Sequence, residues 1–160
     1  HEEEGKMIER EIEASLVRRI KEMGLSGVRV RGLWEPAEAG TVKGEEGREA
    51  ACVTVCVSPR QFESFGLCEV SMSVTLELAV RIDMDPTGGS VPAVWERLAA
   101  LLEEWNMAET GADLADFAVE GFDPGGVQVA GGEGPAFDGG AWTVSQGLTL
   151  RGTVPHGAHT

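Results

Sequence analysis

The sequence predicts an α+β fold: a mostly antiparallel β-sheet, two amphipathic helices packed on one face of it, and long projecting strands and loops. The first observation is an unbroken alternation of apolar and mostly polar residues from Val70 to Met84. The second is a pair of segments, one on each side of this stretch, whose apolar residues recur every three or four positions. A period of two is typical of strands, and a period near 3.6 is typical of helices.

The alternating segment sets the scale of the sheet. Apolar side chains occupy its even positions, which are Val70, Met72, Val74, Leu76, Leu78, Val80, Ile82 and Met84. Fifteen residues at about 3.3 Å each span about 50 Å, whereas a common strand has about 5–6 residues. We therefore expect this strand to bend or to project from its domain.

The first helix is predicted from Met7 to Met23. Its apolar stripe consists of Ile8, Ile12, Leu16, Val17, Ile20 and Met23. Charged residues, Glu9 and Glu13 among them, are assigned to the other sides of the helix. Acidic residues lead and basic residues trail, which complements the helix dipole, and Gly24 is suited to end the helix. The pattern indicates a helix packed on the sheet.

A long loop is predicted after a short strand at Val28–Val30. Residues 32–48 are rich in Gly and Glu, and loops of this length are often functional or ordered only with a partner. Trp34 lies in this loop. Two interpretations of Trp34 stay open: it packs back on its own domain, or it contacts another protein.

A second strand is predicted from Glu49 to Ser58 and is ended by Pro59. We expect it to pair antiparallel with the long strand, because strands that are neighbours in sequence usually pair. The connection at residues 60–67 carries Phe62 and Phe65 three positions apart, which favours one helical turn.

The second helix follows a turn at Asp85–Gly89, with Ser90 as its N-cap. Its apolar positions are Val91, Val94, Trp95, Leu98, Leu101, Leu102 and Trp105. Two tryptophans at helical spacing are more typical of a packed core than of a ligand site, so we assign Trp95 and Trp105 to the core.

The remainder of the chain is predicted to be β-rich. Short strands are expected at Phe117–Val119 and Val127–Val129, and the glycine-rich residues 131–140 are interpreted as a flexible hairpin tip. A final strand, Ala141–Arg151, has one face made of Trp142, Val144, Leu148 and Leu150, with Gln146 as its polar member. Residues 7–154 are thus expected to form a single domain, preceded by an extension of partly artificial origin at 1–6 and followed by a flexible tail at 155–160.

The composition disfavours several classes of partner. Lys and Arg number 13 against 27 Asp and Glu, giving a net charge of −14, so a surface that wraps nucleic acid is disfavoured. Three cysteines, Cys52, Cys56 and Cys68, indicate reduced thiols more than a disulfide framework or a zinc site. No apolar run approaches the about 20 residues of a membrane span.

The sequence offers little that indicates catalysis. All histidines lie near the ends of the chain, at His1, His156 and His159, and neighbouring carboxylates are common in any acidic protein. The glycine-rich residues 131–140 lack the Lys and the following helix of a phosphate-binding loop. We therefore expect no enzyme, no cofactor and no metal.

Three segments carry a resemblance to a known family. They are the alternating strand VSMSVTLELAVRIDMD, the helix VPAVWERLAALLEEW directly after it, and the ending AWTVSQGLTLRGTV. Together with the order of the elements from Met7 to Val154, they resemble the tail terminator (tail completion, minor tail protein U-like) proteins of long-tailed bacteriophages.

The resemblance implies a structural virion protein of a phage or prophage. Members of that family assemble as rings, commonly hexamers, that cap the tail tube, end its polymerisation and join it to the head connector. The implied partners are copies of the chain itself, the tail tube protein and the head–tail connector protein. DNA would pass without specific binding, and the protein would be found in the host cytoplasm during assembly and then in the virion tail.

Four loop aromatics are the candidate partner contacts, because aromatic residues are enriched at interface cores. They are Trp34, Phe62, Phe65 and Phe137. Two other functions remain open at this point. One is another head–tail joining or tail tube protein, and the other is a monomeric α+β adaptor module.

Overall fold

The computed structural model describes residues 7–35, 50–63, 68–106, 108 and 114–155. In this part of the chain there are two α-helices, one 3-10 helix and six strands. In chain order they are α1 (Ile8–Lys21), β1 (Val28–Gly32), β2 (Ala51–Val57), β3 (Gln61–Phe62), β4 (Glu69–Arg81), α2 (Ser90–Asn106), the 3-10 helix (Ala115–Phe117), β5 (Asp123–Asp138) and β6 (Ala141–Thr153). The predicted α+β class is confirmed.

The described strands form one sheet with the order β1-β2-β4-β6-β5, and β3 pairs with β4 outside this path. β1 runs parallel to β2, and the other pairs are antiparallel. The predicted antiparallel pairing of the second strand with the long strand is confirmed, with Val57 beside Val74 and Ala51 beside Val80. The mixed sheet therefore has β4 at its centre.

β4 is long because it has partners on both sides. It pairs with β6 over its full length, from Glu69 beside Thr153 to Arg81 beside Ala141, so it lies inside the sheet and does not project. The strand ends at Arg81, three residues before the predicted end. There the chain turns, because the N–H groups of Met84 and Asp85 both donate to the carbonyl oxygen of Arg81.

Both helices pack on the same face of the sheet, as predicted. α1 lies over β1 and β2, whereas α2 lies over β5 and β4. The inward residues of β4 are fully buried beneath them, and Trp105 packs edge-on against Phe117 with 5.1 Å between ring centroids. Burying side chains of this size is the main source of stability in a domain of this kind.

α1 differs from its prediction on one face. The helix spans Ile8–Lys21 and Gly24 follows it with a positive φ of 68°, as expected for a residue that ends a helix. Glu9 and Glu13, however, are buried, with 2% and 1% of their surface exposed. Their assignment to the solvent sides of the helix was wrong, because tertiary partners neutralise or hydrogen-bond both carboxylates.

Three local predictions in the second half of the chain are corrected. Phe117 ends a 3-10 helix and does not begin a strand, and Val119 forms only an isolated bridge with Phe122. The predicted strand at Val127–Val129 is part of β5, which continues through the glycine-rich residues to Asp138. The hairpin tip is reduced to a turn at Gly139 and Gly140, whose φ values are 61° and 81°.

The connection before β4 also differs from its prediction. Gln61 and Phe62 pair with Ser71 and Val70 of β4, so this part of the chain is extended and not a helical turn. Residues 64–67, which include the rest of the predicted turn, lie outside the described residues. The predicted loop at residues 36–48 and the tail at 156–160 likewise lie outside them.

Candidate assembly interface

A cluster of buried charge fixes α1 to the sheet. The guanidinium of Arg60 contacts the Glu9 carboxylate through two N–H groups, at 2.8 and 3.0 Å, and the backbone N–H of Arg60 donates to the same carboxylate at 2.7 Å. Burial alone would raise the pKa of Glu9, but the hydrogen bonds and charge of Arg60 outweigh it, so the pKa lies below its ordinary value of 4.5. Glu9 is therefore a paired anion that holds the segment after β2.

Glu13, one turn further along α1, holds the ends of β1 and β2. Its carboxylate accepts the backbone N–H of Trp34 at 2.6 Å and that of Val57 at 3.2 Å. Burial raises the pKa of Glu13 above 4.5, the two N–H donors partly offset this, and the charge of Glu35 adds to the rise. Unlike Glu9, this carboxylate has no cation among its hydrogen-bond partners in the described chain.

The sheet has one face away from the helices, which we call the open face. No described helix lies over it. The two faces of β4 differ in solvent exposure. Leu76 and Leu78 on the helix side are fully buried. Ser73, Thr75 and Glu77 on the open face are exposed. A solvent-exposed face of this kind is common in antiparallel sheets, but its side chains are usually longer and more charged than these.

Short side chains make the middle of the open face flat. Neighbouring strands place Cys56, Thr75 and Gly147 in one row. The next row contains Thr54, Glu77 and Ser145. Between Ser71 and Ala79, Glu77 is the only charged side chain of β4. A partner could therefore approach this region closely without displacing long side chains.

Three charged residues share the central row of the open face: Glu77, Arg31 on one side of it, and Glu133 of β5 on the other, beside Ser145. Glu77 lies at the centre of β4 and makes no hydrogen bond or ion pair with another described residue. Arg31 of β1 occupies the same row, two strands away on the far side of Thr54, to whose hydroxyl it donates at 3.2 Å. At about 4.8 Å between strands, the Glu77 and Arg31 positions are about 10 Å apart.

The outer side of α2, which faces away from the sheet, has a basic residue near its centre, whereas the open face has an acidic one. The exposed residues of α2 are Ser90, Pro92, Ala93, Glu96, Arg97, Ala100, Glu103, Glu104 and Asn106. Arg97 is the one basic residue of the helix and donates to the carbonyl oxygen of Met23 at 2.9 Å. Glu104 contacts Arg19 of α1 at 3.3 Å. Glu96, Arg97, Ala100 and Glu104 border a shallow groove between the two helices.

The outer strands of the sheet are poorly suited to pair with another strand. β1 has five residues. β5 has sixteen, but its register against β6 shifts at three places, it contains Pro124 and Pro135, and the Val129 N–H already donates to the Asn106 side chain at 3.0 Å. Bulges, prolines and covered N–H groups are the means by which proteins block edge-to-edge pairing.

The four predicted partner contacts lie in different places. Trp34 is half-buried, and its indole N–H donates to the carbonyl oxygen of Val57 at 2.5 Å, so it packs on its own domain. Phe62 and Phe137 are 60% and 57% exposed. Phe65 lies outside the described residues. An interface role for all four stays a prediction.

The two exposed phenylalanines do not form one patch. Phe62 is beside Val70 near the start of β4, whereas Phe137 is beside Trp142, which pairs with Val80 near its end. Ten residues of strand separate these two places by about 33 Å. One small partner surface could not contact both.

The sequence alone did not identify four charged residues of the candidate site, namely Glu9, Glu13, Glu77 and Arg97. Glu9 and Glu13 are four positions apart and share a helix face with Ile12 and Leu16, which is a usable signal of burial. Glu77 and Arg97 gave no signal of their own, because single charges in a strand and a helix are ordinary. Their arrangement becomes visible only when the register of the sheet is known.

The described residues contain no group of three or more His, Cys, Asp and Glu side chains placed to hold a metal ion. The three cysteines are free thiols and are half-buried. Burial raises the pKa of Cys56, and the Glu13 charge adds to this, so its reactive thiolate form is disfavoured. Neither described helix is long and apolar enough to cross a membrane.

No family model matches the chain, and no curated protein matches its sequence. The resemblance to tail terminators is therefore a hypothesis that rests on the segments quoted above and on the order of the elements.

Proposed function

We propose that this chain is a structural assembly protein of a phage or prophage, and that it forms a ring, most simply a hexamer, at the end of a tail tube. In this role it stops polymerisation of the tube and joins the tube to the head connector. The observation that carries the proposal is the open face, whose middle is flat and has few charges, on a sheet whose other side is packed under the helices. Its short side chains allow another protein to approach the sheet closely.

Two further features support an assembly role. The order of helix, strands, long central strand, helix and closing β-hairpin agrees with the layout that the resemblance implies. The buried carboxylates of Glu9 and Glu13 are held by Arg60 and by backbone N–H groups. Both carboxylates are thus buried within the fold and are not presented to a substrate.

Passage of DNA through the ring is part of the proposal. The net charge of −14 repels the phosphate backbone, so DNA can slide past without being held. We expect no measurable binding of duplex DNA at physiological salt. Retention of duplex DNA by the purified protein at such salt would contradict this part of the proposal.

The test of the ring is light scattering on a sizing column across protein and salt concentration. A discrete species of about six times the 17.0 kDa chain mass, and ring-shaped particles by electron microscopy, are the expected results. The capping role is tested by adding the protein to a polymerising tail tube protein. A terminator shortens the tubes and is found at their ends, whereas a tube subunit is incorporated along them.

A monomeric adaptor is the second candidate function. The blocked outer strand β5 favours it, because protection of a sheet edge against pairing helps a chain to remain alone in solution. A mass of 17.0 kDa at every concentration, with no change on addition of tube protein, would favour the adaptor and overturn the ring.

A further inference from the structure

We propose that neighbouring copies in the ring meet through two different surfaces, the open face of one copy and the outer side of α2 of the next. This inference rests on the proposed ring and specifies how it is built. Its partner is a second copy of the chain, and its central contact joins Glu77 of one copy to Arg97 of the next.

The shapes of the two surfaces fit. The middle of the open face presents Thr75, Gly147 and Ser145, none of which projects far from the sheet. The outer side of α2 presents Ala93 and Ala100 on either side of Arg97, so the helix backbone can come close to a flat sheet. Close packing is therefore possible beside Ala93 and Ala100, while the long exposed side chains of α2, Glu96, Glu103 and Glu104, must extend along the sheet.

The charges of the two surfaces are complementary. The open face has Glu77 at its centre, with Arg31 about 10 Å away across the strands on one side and Glu133 about 10 Å away on the other. The outer side of α2 has Arg97 near its centre and Glu104 seven residues away on the same side, which is about 10 Å along the helix. When Glu77 lies against Arg97 and the helix crosses the strands, Arg31 can lie against Glu104.

Two copies facing each other through their open faces are disfavoured by the same charges. A two-fold axis along β4 would place Glu77 of one copy against Glu77 of the other. Like charges brought together at an interface cost several kcal/mol. The contact therefore joins two different surfaces.

A contact between different surfaces on opposite sides of one molecule has a structural consequence. The open face and α2 lie on opposite sides of the sheet, so each copy can bind one neighbour on each side. Contacts of this heterologous type close into rings when the rotation between copies is suitable. No pairing between outer strands is needed, in agreement with their blocked edges.

The size of the contact predicts how the ring forms. The seventeen residues of α2 are about 25 Å long, and a helix is about 10 Å wide, giving about 250 Å² on each copy. Stable interfaces usually bury about 800 Å² on each partner. We therefore expect assembly to depend on concentration and salt, with ring closure adding stability because each copy then makes two contacts.

The test is charge reversal, measured by light scattering and analytical ultracentrifugation of the full chain. Glu77→Arg and Arg97→Glu, each alone, should raise the dissociation constant for self-association about tenfold or more, because each places like charges together. The two changes combined in one chain should restore most of the wild-type association. Arg10→Glu, which reverses an exposed charge in the first turn of α1, is the matched control and should associate like the wild type.

Each outcome decides between the two proposals. A wild-type ring that tolerates both single reversals would overturn this contact and leave the ring intact. A wild-type chain that is monomeric throughout would overturn the ring and the contact together. Loss of association in both single variants without recovery in the combined variant would also overturn the direct Glu77–Arg97 pairing.

Discussion

The two halves of the sheet, which meet where β4 pairs with β6, are held in different ways. The half under α1 is fixed by buried charge, since Glu9 and Glu13 hold Arg60 and the ends of β1 and β2. The half under α2 consists of a long hairpin whose outer strand is bulged, rich in glycine and largely exposed. Changes in the first half should therefore alter stability, whereas changes in the second half should alter contacts with partners.

The largest effect is expected from Arg60→Ala. Removing the guanidinium leaves the Glu9 carboxylate buried without its cation, which should destabilise the fold by about 3 kcal/mol. Urea denaturation followed by circular dichroism measures this change. Arg18→Ala, an exposed position on the same helix, is the control and should lie within about 0.5 kcal/mol of the wild type. An unchanged midpoint for Arg60→Ala would show that the buried pair contributes little.

Two glycines, one in each half of the sheet, test whether the two halves tolerate an added side chain differently. A Cβ atom on Gly32 would lie 2.7 Å from Cγ and Cδ of Glu13, whose carboxylate is held by two N–H groups, so Gly32→Ala should cost about 2 kcal/mol. A Cβ atom on Gly131 of β5 meets nothing within 4 Å. Gly131→Ala should change stability by about 0.5 kcal/mol or less. Equal losses in the two variants would contradict the difference between the halves.

The pH dependence separates the two buried carboxylates. The pKa of Glu9 is lowered on folding, so its stabilising contribution is present above 4.5 and is lost as the pH falls. The pKa of Glu13 is raised, so its contribution is present below 4.5 and is lost as the pH rises through the folded value.

Urea denaturation at several values between about pH 2.5 and pH 7 tests this sign difference, because the Glu9 contribution is lost only below 4.5. The stability gap between the wild type and Glu9→Gln should narrow on acidification. The stability gap between the wild type and Glu13→Gln should narrow as the pH rises. If the stability gaps of Glu9→Gln and Glu13→Gln both narrowed, or both widened, as the pH falls, the opposite pKa shifts of the two carboxylates would be contradicted.

The smallest effects on stability are expected from Phe62→Ser and Phe137→Ser. Both rings are more than half exposed, so the cost should be about 0.5 kcal/mol for Phe62, and slightly more for Phe137, which contacts Trp142 at 5.5 Å between ring centroids. If these residues contact neighbouring subunits or the tube, self-association or tube binding should weaken while helix content by circular dichroism stays unchanged. Unchanged binding in both variants would remove these residues from the interface.

The sequence was sufficient for the elements that have a regular period. α1, α2, β4 and β6 were predicted because each repeats its apolar residues at the spacing of a helix or a strand and meets the core along one face. Trp105 was also placed correctly in the core. The glycine-rich part of β5 could not be recognised, because its register shifts interrupt the alternation and its glycines carry no side chain to bury.

The candidate site was less predictable because it depends on register and on distant partners. Arg60 lies 51 positions after Glu9, and neither residue alone indicates a buried pair. Trp34 was predicted to lie in a loop, yet its indole N–H finds an acceptor on β2. Glu77 and Arg97 become candidates only when the sheet is assembled and one of its faces is found to be open.

The pairing of β4 with β6 also has a consequence for how the chain reaches its folded state. The β5–β6 hairpin is local, but every residue pair between β4 and β6 is at least 60 positions apart in sequence. Closing so large a loop costs chain entropy before the new contacts can compensate for it. The hairpin can therefore form early, while its docking onto β4 completes the sheet late and sets the folding rate of the domain.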